Sequence, residues 1–115
     1  MKIEIPVGIE YRSELIVDNQ HTATKYGSGL AEVFATPALV ALMENAAYKS
    51  IEMYLPDGYS SVGTEIHIQH LRATPPGDNV YAISKTVAFD GRKVDFEVEA
   101  FDSKGLIGKG THQRF

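Results

Sequence analysis

One segment of the chain, Pro37 to Tyr48, is apolar on almost every side when it is read as a helix. Only Glu44 and Asn45 are polar within it, and the apolar residues recur at helical spacing. Thr36 followed by proline predicts the start of the helix, with threonine as the N-cap. The run Leu55-Pro56-Asp57-Gly58 predicts its end. A helix of this kind is normally buried, so the rest of the chain must supply its cover.

The remainder of the chain reads mostly as β-strand. Ile9 to Val17 predicts a first strand and His21 to Lys25 a short second one. Asp90-Gly91 is a strong hairpin signal between two later strands. The strands predicted after the helix are Val62–Ala73, Asn79–Phe89, Lys93–Phe101 and Leu106–Phe115. We therefore expect an α+β fold in which one antiparallel β-sheet wraps around one long central α-helix, with a second subunit covering what remains.

Composition narrows the class of protein. A chain of 115 residues fits a single domain, residues 1–115. A formal charge of −4 offers no basic surface for a phosphate backbone, so nucleic-acid binding is not expected. The chain has no cysteine, which excludes disulfides, thiolate nucleophiles and cysteine-ligated metals.

The N-terminal segment does not resemble a signal peptide. It carries charges at Lys2 and Glu4 and lacks a continuous apolar stretch. No window approaches the roughly 20 apolar residues of a membrane helix. These features predict a cytoplasmic protein without a membrane partner.

Glu44 is the most informative polar position. Its helical neighbours three and four residues away are Val40, Ala41, Ala47 and Tyr48, and none of them is basic. A carboxylate there loses hydration without gaining a salt-bridge partner on its own helix. Two readings remain open: a Lys or Arg from elsewhere in the fold pairs with it, or it is a functional carboxylate.

Strand alternation separates two of the four histidines. His70 shares a face with Ile66 and Ile68, whereas His67 shares the other face with Glu65 and Gln69. His70 is therefore predicted to point inward and His67 to solvent. An inward histidine is often only a core residue, but together with an inward carboxylate it forms a plausible acid/base pair.

Thr36 has both a structural and a functional interpretation. It can cap the helix, and the same helix terminus offers free amides to an anion. Thr36 and Glu44 lie eight residues apart, about 12 Å along the helix axis. If both serve one site, the substrate or a partner subunit must bridge that distance.

Glycine and arginine near the strand ends also have two interpretations. Gly63 is a turn or bulge glycine, or an amide that approaches a ligand oxygen. His112 and Arg114 share a face of the last strand, where the arginine is either solvated or bound to a phosphate or carboxylate. The histidines lack metal-ligand spacing, so neither a metal nor another cofactor is expected.

Three motifs resemble one known family. The runs VFATPALVALMENAA, SVGTEIHIQHLRATPPGDNV and GKGTHQR occur in the order and spacing of the fluoroacetyl-CoA thioesterase-like branch of the hot-dog superfamily. The resemblance extends from about Glu32 to Arg114. It implies a hot-dog fold, hydrolysis of a small acyl-CoA thioester to a free acid and CoA, and a homodimer, possibly a tetramer, with sites at the interface.

The resemblance also assigns roles to residues. By position in the family motifs, the catalytic residues are Thr36, Glu44 and His70, with Glu44 as nucleophile or general base. The amide of Gly63 matches the family glycine that contacts the thioester carbonyl, and Arg114 matches the arginine on the ligand-facing side.

One departure from the family concerns the segment before the helix. The fluoroacetyl-specific enzyme has a longer, phenylalanine-bearing lid there, whereas YGSGLAEVF leaves only Phe34 near the site, as a substrate-binding residue. The resemblance therefore implies thioester hydrolysis without fixing fluoroacetyl-CoA as the substrate. Two alternatives stay open: a hot-dog hydratase or dehydratase, and a non-catalytic acyl-CoA binding module.

Overall fold

One five-stranded sheet and one long helix make up most of the structure, a computed structural model that describes residues 3–115. Met1 and Lys2, which the predicted domain includes, lie outside the described residues. The elements are β1 (Glu10–Ile16), α1 (Ala23–Tyr26), α2 (Thr36–Glu52), β2 (Gly63–His70), β3 (Asn79–Phe89), β4 (Val94–Asp102) and β5 (Gly105–Arg114).

The sheet is antiparallel throughout, in the order β1-β3-β4-β5-β2. Strands β3, β4 and β5 form a meander, and the Asp90 carboxylate accepts the amides of Arg92 and Lys93 in the turn between the first two. Strands β1 and β2 are the two edge strands of the sheet. The predicted α+β architecture and the strands after the helix are confirmed, with bounds that differ by a few residues.

Helix α2 packs one side against the inner face of this sheet. Alternate residues of β4 face the helix, and Val94, Phe96, Val98 and Ala100 are buried there. The apolar helix residues that meet the sheet share the same side of α2 and are buried: Ala38, Leu39, Leu42, Met43, Ala46, Ala47 and Ile51.

The opposite side of α2 is open. Ala41, Tyr48, Lys49 and Glu52 are exposed because the sheet of a single chain covers only one side of the helix. This open side is the part of the helix that the predicted second subunit would cover, so burial of the helix nearly all round stays a prediction.

The helix begins one residue earlier than predicted. Ala35, in an extended conformation, is the N-cap, and no side chain caps the helix. Thr36 is already the first helical residue. Its hydroxyl lies instead against a histidine of β2, as described below, so the N-cap prediction for Thr36 is wrong.

The predicted strand from His21 to Lys25 is also wrong. Asp18 accepts a hydrogen bond from the Gln20 amide, and the Asp18 amide donates to Nδ1 of His21. This reciprocal cap closes a helical turn at Asn19–His21, and α1 follows it directly. Of the strand, only an isolated bridge between Thr22 and Phe34 remains.

Within residues 3–115, none of the helices has the length and apolar character needed to cross a lipid bilayer.

Gly110 lies where β5 approaches β2 closely. It pairs with Ile68 of β2. A Cβ at this position would overlap the backbone carbonyl of His67 and lie 2.7 Å from the Ile68 Cα atom, so both strands would have to move apart.

We expect Gly110→Ala to lower the free energy of unfolding by about 1–3 kcal/mol, the usual cost of overpacking. Gly29→Ala is the matched control, because its Cβ would only reach ordinary contact with Ala23 at 3.7 Å. Urea unfolding of both variants measures the difference. Equal stabilities would contradict the close approach of the two strands.

Candidate active site

Thr36 and His70 are brought together although 34 residues separate them in the chain. Thr36 stands at the first turn of α2, and His70 is the last residue of β2. The Thr36 Oγ1 atom lies 2.8 Å from the His70 Nδ1 atom. This hydrogen bond fixes the rotation of the imidazole ring.

The other ring nitrogen of His70 is unsatisfied. Its Nε2 atom is buried and has no hydrogen-bond partner among residues 3–115. Phe34, only 1% exposed, meets the ring edge-on with centroids 6.4 Å apart. The sequence prediction that His70 points inward and His67 to solvent is confirmed.

Burial changes the acidity of this histidine. Desolvation lowers the pKa of His70 below 6.5, and the backbone of Arg72 acts in the opposite direction more weakly. A neutral imidazole with one nitrogen held by a hydroxyl and the other free can accept or donate a proton at the free position. The ring borders a depression of about 370 Å³, the His70 depression, which Phe34, Thr36 and Arg72 also line.

Glu44 lies in a second depression, on the open side of α2. The Glu44 depression has a volume of about 320 Å³ and is lined by Ala41, Glu44, Asn45, Tyr48, Gly63 and Arg114. Asn45 beside it is tied to β1, since the Ser13 hydroxyl donates to Asn45 Oδ1 at 2.8 Å. The structure thus brings together Glu44, Gly63 and Arg114 from α2, β2 and β5.

Gly63 makes room within the Glu44 depression. A Cβ at this residue would lie 2.9 Å from the Glu44 Oε2 atom and 3.5 Å from the Arg114 Nη1 atom. Any side chain would therefore displace the carboxylate. The absence of a side chain leaves space in which a small group can reach the carboxylate and the backbone of β2 together.

Arg114 is not solvated, which corrects one of the two readings of this residue. It is 8% exposed. Its Nε–H donates to Ser61 Oγ at 2.8 Å, its Nη2 donates to the Ser61 carbonyl at 3.1 Å, and its Nη1 lies 3.2 Å from His112 Nε2. Its guanidinium also stands 5.9 Å from the centroid of the Tyr48 ring.

Two of these partners were not singled out as functional by sequence reasoning. His112 shares a face with Arg114, and strand alternation indicates that pairing, but not burial of both side chains. Ser61 lies in the loop before β2, and no local pattern connects it with a residue 53 positions later.

The three predicted catalytic residues do not meet within one chain. Thr36 and His70 line one depression and Glu44 lines the other. Two turns of α2 separate them, about 12 Å at 1.5 Å per residue. The two depressions lie at opposite ends of β2, with His70 at one end and Gly63 at the other.

A larger depression, of about 580 Å³, lies on the outer face of the sheet. It contains neither Glu44 nor His70. Charges of both signs line it, among them Glu97, Glu99, Lys85 and Lys109. We interpret it as part of the solvent-exposed outer face of the sheet, because, in the described part of the chain, no reactive side chain with an unsatisfied hydrogen bond lines it.

No group of three or more His, Asp or Glu side chains within residues 3–115 is placed to hold a metal ion.

Solved structures with the same architecture are thioesterases and hot-dog proteins. A variant of the fluoroacetyl-CoA-specific thioesterase FlK, in complex with fluoroacetate and CoA, superimposes with a TM-score of 0.90 at 34% identity, over 96% of this chain and 93% of that chain. A thioesterase superfamily member from Thermus thermophilus gives a TM-score of 0.89 at 30% identity, over 96% and 82% of the two chains. The fold is therefore the hot-dog fold of thioesterases.

Sequence comparison specifies the family. The model described as fluoroacetyl-CoA-specific thioesterase (FlK) matches residues 17–115. The fluoroacetyl-CoA thioesterase of Streptantibioticus cattleyicolor is 42% identical over 83 residues, which are 72% of this chain. The match spans 60% of that protein's length. The chain belongs to the FlK family of hot-dog thioesterases.

The environment of His70 predicts its titration. We expect the imidazole to titrate with a midpoint below pH 6.5, because burial disfavours the cation. The unfolded chain then binds protons that the native chain excludes, so stability falls as the pH drops below about 6.5. Nuclear magnetic resonance of the ring Cε1–H signals, assigned with His70→Gln, measures the midpoint. A midpoint at or above 6.5 would contradict the burial of Nε2.

Proposed function

We propose that the protein hydrolyses a small acyl-CoA thioester to a carboxylic acid and CoA. Membership of the FlK family supports the reaction class. The main structural support is the environment of the His70 ring. Its Nδ1 is hydrogen-bonded to Thr36, while its buried Nε2 has no hydrogen-bond partner within residues 3–115. Such a nitrogen is poised to exchange a proton with a bound reactant.

Glu44 supplies the second reactive group. It acts either as a nucleophile on the thioester carbonyl carbon or as a general base that takes a proton from water. As a nucleophile, a Glu44 oxygen bonds to the carbonyl carbon, the C–S bond breaks, CoA leaves as the thiolate, and water then hydrolyses the acyl anhydride to the acid and free Glu44. As a general base, Glu44 takes a proton from water, whose oxygen attacks the carbonyl carbon; the C–S bond breaks, and the CoA thiolate leaves and takes up the proton that the water gave up. His70 handles protons at Nε2, and Thr36 holds its ring.

The space at Gly63 favours a small acyl group. The carbonyl oxygen of a thioester bound there would lie near the Gly63 amide, which would stabilise the developing negative charge. The Glu44 carboxylate and the Arg114 guanidinium both border the same space, so little room remains for a bulky substituent.

We further propose that two copies of the chain form the complete site. Strand β2 is an edge of the sheet, with backbone groups available for pairing with another strand. Antiparallel association of β2 with its twofold mate would bring the Gly63 end of one copy close to the His70 end of the other. The Glu44 depression of one protomer would then face the His70 depression of its partner.

Apolar residues beside β2 support this arrangement. Val62, 60% exposed, precedes the strand, and Leu71, 49% exposed, follows it. The open side of α2 adds Ala41 and Tyr48. A homodimer built on β2 would cover these residues and part of the helix face that the single sheet leaves bare.

Thiol release from a panel of short and medium acyl-CoAs tests the reaction directly. Since the chain has no cysteine, every thiol detected comes from CoA. We expect turnover by the wild type and a loss of about 10²–10⁴-fold in kcat for Glu44→Gln and for His70→Ala, the usual contribution of acid/base groups.

Matched controls separate the chemistry from general damage. His67→Ala removes a solvent-facing histidine of the same strand, and Glu97→Gln removes a carboxylate on the outer face of the sheet. Both should retain wild-type turnover. Measurable acyl-CoA binding without thiol release by the wild type would reject hydrolysis and favour the binding-module alternative.

Mixing two inactive variants tests whether the site is shared between subunits. If His70 of one copy works with Glu44 of the other, a dimer of one His70→Ala chain and one Glu44→Gln chain keeps one intact site. Random exchange of subunits should then restore about a quarter of wild-type turnover. A site within one chain would give no recovery, since each site in the mixed dimer would lack one group.

A further inference from the structure

His112 is a buried histidine outside the predicted catalytic set. It lies on the inner face of β5 and is 3% exposed. Its ring stacks on Phe96 of β4, with centroids 5.7 Å apart and planes inclined by 25°.

The hydrogen bonds of His112 define its tautomer. Nδ1 lies 2.8 Å from the carbonyl oxygen of Glu65, which can only accept, so Nδ1 carries the hydrogen. Nε2 lies 3.2 Å from Nη1 of Arg114, which can only donate, so Nε2 offers a lone pair. Burial lowers the pKa of His112, in agreement with a neutral ring.

Arg114 is thereby held at three points. Two of them, Nε and Nη2, are bonded to Ser61 on one edge of the guanidinium. His112 binds Nη1, the nitrogen nearest the space at Gly63. Removal of this acceptor would leave Nη1 free to pivot about the Ser61 contacts.

The Glu44 carboxylate is the nearby group to which a free Nη1 would turn. Both border the position at Gly63, yet they form no salt bridge or hydrogen bond in the described part of the chain. A direct ion pair with Nη1 would occupy a carboxylate oxygen of Glu44 and reduce its reactivity toward a substrate. The cation stays close to Glu44 but does not engage it.

We propose that His112 is a positioning residue, which holds the Arg114 guanidinium beside the Glu44 carboxylate without a direct ion pair, so that the carboxylate remains available to react. This inference rests on the proposed role of Glu44 in thioester hydrolysis. His112 itself contacts neither the reacting carbonyl nor the proposed water.

Two substitutions distinguish the acceptor from the rest of the ring. His112→Asn keeps a polar group near the Glu65 carbonyl but cannot reach Arg114, whereas His112→Gln can place an amide oxygen where Nε2 accepts from Nη1. We expect His112→Asn to lower kcat about tenfold or more, as small misplacements of reacting groups do, with KM little changed. His112→Gln should recover a substantial part of that loss.

Crystal structures of the two variants supply a measurement that does not depend on activity. In His112→Asn we expect Nη1 of Arg114 to move into salt-bridge contact with Glu44, and in His112→Gln to stay bound to residue 112. If wild-type protein released no thiol, the proposed function would fail, and these structures would still test the positioning of Arg114.

Two results would overturn the inference. One is wild-type kcat in His112→Asn. The other is an equal loss of kcat in both variants with Arg114 unmoved, which would show that the imidazole serves only to pack against Phe96.

Discussion

The packing of α2 on one face of the sheet is the interaction on which the site depends. It buries the apolar side of the helix and leaves Glu44 on the boundary between core and solvent. The same contact fixes Thr36 at the end of the helix that faces His70, and Glu44 at the level of Gly63. Because the helix is rigid, the eight-residue spacing keeps Thr36 and Glu44 about 12 Å apart along its axis.

Local periodicity was sufficient to predict most of the fold. Alternation in β4 and the Asp90-Gly91 turn follow from contacts between residues close in sequence, and both were predicted correctly. The inward orientation of His70 follows from the same alternation. These features are recoverable because a strand with one buried face permits only one register of polar and apolar residues.

Contacts between distant segments could not be predicted in the same way. The wrongly predicted strand from His21 to Lys25 is a different case, because the cap between Asp18 and His21 is local: it closes a helical turn at Asn19–His21, and α1 follows. Thr36 satisfies every local rule for an N-cap, yet its hydroxyl lies on a histidine 34 residues away. The burial of Arg114 depends on Ser61, whose position is set by the loop between α2 and β2.

The separation of the acidic and imidazole groups has a chemical consequence. Within one chain, Glu44 and His70 line separate depressions, so neither side chain forms a direct ion pair with the other. In the proposed dimer the groups approach from different chains and from different sides of the substrate. A thioester bound between them would then be the group that both could engage.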